Sequence, residues 1–211
     1  MSISEQIIKL PYVRKDNLAL LFPDIKPASF DQNVKNWLKA GKLIKLKRGF
    51  YVPEEYWQNC ANKDEYLNYL ASLLDQPSYV SKETVLARYG VLSEAVFGVA
   101  SITGRATKNY SSKIANFSYA KIKRQLFCGF SRAQFEGKNY DIASKSKALF
   151  DYLYFAKRTI KHANAKTVAE LRLNLEGFSS ADWREFEDYL AIARSEKMRR
   201  IYQALRSKHA F

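Results

Sequence analysis

Between Ser29 and Val52 the hydrophobic pattern changes period with no linker between, from a spacing that suits a helix to one that suits a strand and turn, and few folds accommodate that switch. Phe30, Val34, Trp37 and Leu38 recur at helical spacing and predict a buried stripe that Gly41 ends, while Ser29 with Gln32 predicts a capping box at its start. Leu43, Lys45 and Lys47 then alternate with Ile44, Leu46 and Arg48. Gly49 turns the chain into Phe50, Tyr51 and Val52, which predicts a β-hairpin. Upstream, Ser2 or Ser4 is expected to cap a helix through Leu10, with Ile3, Ile7, Ile8 and Leu10 on one face before Pro11 interrupts it. A second helix, from Lys15 to Phe22, stops in the loop between Pro23 and Pro27. Helices followed by a hairpin make the order of a winged helix-turn-helix, expected over residues 1–58.

The polar face of the third helix carries the chemistry. Ser29, Gln32, Lys35, Asn36 and Lys39 lie on it beside Asp31. Amides suit adenine edges and lysines suit phosphates or guanine, so this reads as a recognition helix. From Lys35 to Arg48 there are six basic residues and no acid, so the helix and the hairpin residues Lys45, Lys47 and Arg48 are expected to form one positive strip. The whole chain has 35 Lys and Arg against 21 Asp and Glu, a formal charge of +14, which favours a polyanionic partner. A solubilising surface accounts for the same charge, and three helices with a hairpin also build protein-interaction modules.

Residues 59–211 are expected to fold as a mixed domain, making the whole chain α+β. Helices are predicted over Asp64 to Leu74, from Ser81 (as cap) to Gly90, and over Lys145 to Ala156. Between Val99 and Ala143, VASITG, ANFSYAKI, LFCGFSRAQF and KNYDIA predict a small, mainly antiparallel sheet covered by helices. Thr167 to Leu175, Ser180 to Ala193 and Ser195 to Ser207 predict a helical tail. Residues 105–147 hold ten basic groups against Glu136 and Asp141. Arg105, Lys108, Lys113, Lys121, Lys123 and Arg124 form a candidate second phosphate-contacting surface, for which a solvated sheet face is the alternative. Tyr110, Phe117, Tyr119, Phe127 and Phe130 read as core rather than as base-stacking platforms.

KNWLKAGKLIKLKRGFYV, then SYVSKETVLARYGVLSE (Ser78 to Glu94), VASITGRATKNY, FSYAKIKRQLFCGF and YDIASKSKALFDYLYF (Tyr140 to Phe155) occur in that order. Together they resemble AbiEi-type antitoxins of abortive-infection (type IV) toxin–antitoxin systems over most of residues 12–156. The resemblance implies a transcriptional repressor of its own operon, binding inverted repeats in double-stranded promoter DNA. It also implies a C-terminal antitoxin domain that counteracts a cognate nucleotidyltransferase toxin, with or without direct contact. The toxin's own marker, a Gly-Ser pair followed by closely spaced aspartates, does not occur here.

Enzyme signatures are sparse. Neither GxGxxG nor GxxxxGK[ST] is present, so no nucleotide cofactor is expected. His162 and His209 stand in polar, basic stretches without a nucleophile elbow. Asp141 with Lys145 and Lys147 has the wrong spacing for a metal-dependent nuclease, whose oxygen ligands come in pairs. Cys60 and Cys128 form no CxxC and predict neither a metal nor a disulfide, which fits a reducing cytoplasm. No uninterrupted 18-residue apolar run occurs, so no membrane span is expected. The reading is therefore a non-enzymatic DNA-binding antitoxin, with a winged-helix protein-interaction adaptor as the alternative.

Overall fold

The computed structural model describes residues 5–94 and 96–208, so the expected caps Ser2 and Ser4, Ile3 and His209 lie outside the described residues. The chain is α+β with two sheets. It opens α1 (Glu5–Ile8), β1 (Val13–Arg14), α2 (Lys15–Leu20), α3 (Pro27–Lys39), β2 (Leu43–Lys47), β3 (Phe50–Pro53). β1, β3 and β2 pair in that order, antiparallel throughout. α3 begins at Pro27 and not at Ser29: a proline is tolerated at the first helical position, where its missing N–H has no helical acceptor. No side chain caps α3, and Gln32 donates to the Asn36 Oδ1 (3.0 Å) instead of closing a capping box. Phe30, Val34 and Trp37 are buried as expected, each worth roughly 1.5–3 kcal/mol of burial. Gly41 and Gly49, with φ of +69° and +74°, end the helix and turn the hairpin.

The hairpin serves two cores. Leu43 and Tyr51 pack with Ile7, Val13, Leu18 and the α3 stripe, while Ile44, Leu46, Phe50 and Val52 enter the larger core. The expected division at residue 58 falls inside α4 (Glu54–Asn59), which follows β3 without a loop, and apolar packing runs across it. Tyr12 stacks on Phe50 (centroids 5.0 Å apart), Tyr66 donates its hydroxyl to the Pro11 carbonyl, and Glu54 pairs with Lys113 at 3.2 Å.

The second sheet has six strands, ordered β6-β7-β5-β4-β9-β8: β4 (Ser78–Val80), β5 (Val99–Thr103), β6 (Lys108–Ser111), β7 (Asn116–Lys121), β8 (Phe130–Phe135) and β9 (Lys138–Ala143). Three pairings are antiparallel, as expected, but β5–β7 and β4–β9 are parallel. The sheet is therefore larger and more mixed than the sequence suggested, and its interior strand β4 reads locally only as a lead into a helix. α5 (Lys63–Leu74), capped by Asn62, covers one face: the Tyr119 hydroxyl donates to the Ala71 carbonyl at 2.6 Å, and Phe135 stacks on Tyr66 and Tyr69. α6 (Lys82–Arg88), α7 (Lys145–Ala156), α9 (Ser180–Ala193) and α10 (Glu196–Lys208) form the other helical layer, with Phe150 of α7 against Phe186 and Tyr189, and Tyr202 of α10 on Phe186. A 3₁₀ turn covers Arg124–Leu126. The expected helix from Thr167 to Leu175 is replaced by the shorter α8 (Ala165–Glu170), and Arg172 beyond it takes a left-handed φ of +48° that no helix continues through. α9 has the expected bounds and is capped by Ser179 and Asp182 in a reciprocal box. No helix among the described residues is long and apolar enough to cross a membrane.

One close approach ties these layers together. Gly129 has φ +75°, and a Cβ there would fall 2.1 Å from the Tyr189 hydroxyl, which is itself held by Glu185 at 2.6 Å. Gly129→Ala is expected to lower stability by about 2–3 kcal/mol, through overpacking and a left-handed alanine. A urea-denaturation midpoint within error of the parent would reject that packing constraint.

Candidate nucleic-acid interface

α3 presents Ser29, Gln32, Lys35, Asn36 and Lys39, all exposed, because burial of Phe30, Val34 and Trp37 fixes its rotation. The bond from Gln32 to Asn36 orients one amide against the other one turn on, and uses the Asn36 amide oxygen rather than its nitrogen. Asp31, on the same helix, pairs with Lys15 at 2.7 Å, which ties α2 to the N-terminal half of α3. Lys35 and Lys39 pair with no carboxylate among the described residues, so their charge is available to an external anion.

The hairpin divides the expected basic strip. Lys45 and Arg48 are exposed, but Lys47 is not their equal. A bulge between Lys45 and Lys47 shifts the register so that Lys47 pairs with Phe50 and its side chain turns inward. Its ammonium donates to the Leu74 carbonyl at 2.5 Å and lies 5.5 Å from the Tyr110 ring centroid. Burial lowers its pKa from the ordinary lysine value, with Asp75 pulling the other way and Lys108 and Arg14 adding to the decrease. Sequence reasoning missed Arg14 and Lys15, which line a cavity of about 430 Å³ together with Asp16, Lys47, Arg48 and Gly49. Neither had a signal beyond being cationic beside Pro11, because only the paired β1 and β3 bring them to the hairpin turn.

Three of the six residues of the candidate second surface have partners within the chain. Lys108 is committed to the buried carboxylate of Asp75 (2.7 Å), Lys113 to Glu54, and Arg105 to the Gln76 carbonyl (3.0 Å). Lys121, Lys123 and Arg124 remain exposed at one end of the sheet. Lys157, near Lys123, Arg158 and Lys197, has its pKa lowered by burial and then by these like charges. Of the five aromatics assigned to the core, Phe117 and Tyr119 are fully buried and Tyr110, Phe127 and Phe130 half-buried.

The part of the chain around the six-stranded sheet also contains a polar cluster that the sequence concealed. Lys147 and Asp151, one turn apart on α7, are both wholly buried and form an ion pair. Tyr79 and Ser81 donate hydroxyls to the same carboxylate at 3.0 and 2.8 Å, so Ser81 precedes α6 without capping it. Three rings, of Tyr79, Phe150 and Tyr189, surround the Lys147 ammonium at 5.2–5.6 Å. Burial pushes the Asp151 carboxyl above its usual range against the pull of Lys147 and the two hydroxyls. With no solvent-facing atom in the pair, its work is cohesion between β4, α6 and α7. Lys147 therefore leaves the tally of basic groups open to a ligand. Neither a protein-family model nor a curated protein matches the chain.

Proposed function

We propose that the chain is a DNA-binding repressor, that residues 1–58 work as a winged helix-turn-helix, and that α3 reads the major groove. One observation carries the reading: Lys35 and Lys39, unpaired with any carboxylate among the described residues, stand with Gln32 and Asn36 on an exposed helix face, and the hairpin adds the exposed cations Lys45 and Arg48. An unneutralised cationic face of this kind attracts a phosphate backbone, and the two amides supply donors and acceptors for base edges. The resemblance to AbiEi-type antitoxins supports the extension to a cytoplasmic antitoxin that represses its own operon at inverted repeats, while the larger domain counteracts a nucleotidyltransferase toxin. A second reading, a protein-interaction adaptor, draws on Leu10, Leu20 and Leu21, which are 40%, 78% and 48% exposed on the same N-terminal unit.

A mobility shift with the chain's own upstream DNA against a scrambled duplex of equal length, at ~150 mM salt, separates the readings. Preferential retention of the upstream fragment is the expected result, and toxin rescue in cells then tests the antitoxin extension. Absence of binding to either duplex favours the adaptor.

A further inference from the structure

The root of the hairpin holds a cleft that the α3 face does not include. Arg14 ends β1, Lys15 opens α2, and both border the cavity closed on its other side by Lys47, Arg48, Gly49, Phe50 and Leu73. Four of its lining side chains are cationic and one, Asp16, is anionic. The Lys15 amide donates to the Gly49 carbonyl at 2.9 Å, which fixes one wall of the cleft to the turn. Its rim meets the α3 surface through the pairing of Lys15 with Asp31, and Asp31 stands one turn before Lys35 on that helix.

We propose that this cleft seats one backbone phosphate of the duplex read by α3, with Arg14 and Arg48 as the contacting groups and Lys47 as a positioning residue. The proposal rests on the DNA-binding reading above. Arg14 and Arg48 supply guanidinium forks at the open rim, the geometry that grips a phosphate through two parallel N–H bonds. The Arg14 side chain is 59% exposed and its ion pair with Asp16 is long, at 4.0 Å, a loose pair that a phosphate displaces at little cost. Lys47 does not contact the phosphate. Its donation to the Leu74 carbonyl and its place over the Tyr110 and Phe50 rings pin the hairpin to α5 and β6, so the larger domain sets where Arg48 points.

Salt titration distinguishes a contact from a support, because each phosphate contact contributes about −0.9 to the slope of log affinity against log salt. Wild type, Arg14→Gln, Arg48→Gln and Lys47→Met are titrated with upstream and scrambled duplexes between ~50 and ~200 mM salt, after melting curves confirm that each is folded. Arg14→Gln and Arg48→Gln are each expected to make the slope shallower by about 1 and to weaken binding several-fold. Lys47→Met is expected to weaken binding with the slope unchanged, and to speed hydrogen exchange of the amides of residues 43–52 in the protein without DNA. Unchanged slopes in both arginine variants, with wild type still preferring upstream DNA, overturn the seat and leave the repressor reading standing. Shallower slopes with no preference for upstream DNA keep the seat and overturn sequence reading. A shallower slope for Lys47→Met makes it a contact and overturns its positioning role, and wild type binding neither duplex overturns both readings.

Discussion

Lys35→Glu combined with Lys39→Glu is expected to lower affinity for upstream DNA on the order of a hundredfold at ~150 mM salt, with no change in melting temperature. The two lysines are four residues apart, about 6 Å along the helix axis, so both face the same stretch of backbone. Removing two cations forfeits two counterion-release terms, and reversing them adds repulsion from the phosphates they had neutralised. The neutral pair Lys35→Gln and Lys39→Gln forfeits only the first part, and is expected to lose about tenfold with a slope shallower by about 2. Stability is spared because both side chains are exposed and neither anchors a carboxylate among the described residues. Fluorescence anisotropy with a labelled upstream duplex measures both quantities. A folded double-glutamate variant that binds as tightly as wild type would remove α3 from the interface and leave the hairpin without its partner surface.

How far such a surface could be read in advance depends on whether its cause is local. The α3 stripe of Phe30, Val34 and Trp37 and the turn at Gly49 follow from periodicity and one backbone preference, and both stand in the structure. The start of α3 was misplaced because Ser29 offered a familiar cap while Pro27, two residues earlier, suited the first turn better. Strand β4 was not legible: three residues buried on both faces show no alternation, and pairing with β5 and β9, far along the chain, makes Ser78–Val80 a strand. Lys47 was legible as a cation but not as a buried anchor, since one bulge in β2 reverses which way it points. The same limit applies more strongly to Lys147 and Asp151, whose spacing matches an ordinary solvated helix pair. Their burial comes from Tyr79 and Ser81, some seventy residues earlier, and from Tyr189 on another helix.

That buried pair carries the largest stability effect expected in the molecule. Asp151→Ala leaves the Lys147 ammonium without its carboxylate inside a ring of aromatic side chains, and leaves two hydroxyl donors unmatched, at a cost of about 3–5 kcal/mol. Ring faces attract a cation, but by about 2 kcal/mol each at most, and they do not replace an ion pair. Lys147→Met is expected to cost less, because Tyr79 and Ser81 keep the Asp151 carboxyl as their acceptor, whereas Asp151→Ala leaves both hydroxyls and the ammonium unmatched. The sign of its pH dependence follows. With Lys147 gone, the chief opposing pull on Asp151 is removed, so burial holds its folded-state pKa still further above the unfolded carboxylate value of about 3.9. The folded state then binds the proton more tightly than the unfolded state, so stability is greatest below the unfolded value and falls as pH rises toward the folded one. Lys147→Met should accordingly be closer to wild type at pH 4 than at pH 8 in urea denaturation. Adding Asp151→Asn to Lys147→Met keeps an acceptor for Tyr79 and Ser81 without a charge, and is expected to erase that pH dependence while recovering part of the loss at pH 8. An Asp151→Ala protein destabilised by less than about 1 kcal/mol would mean that water reaches the Lys147 ammonium, and the account of α7 as locked to β4 and α6 by a dry ion pair would fall.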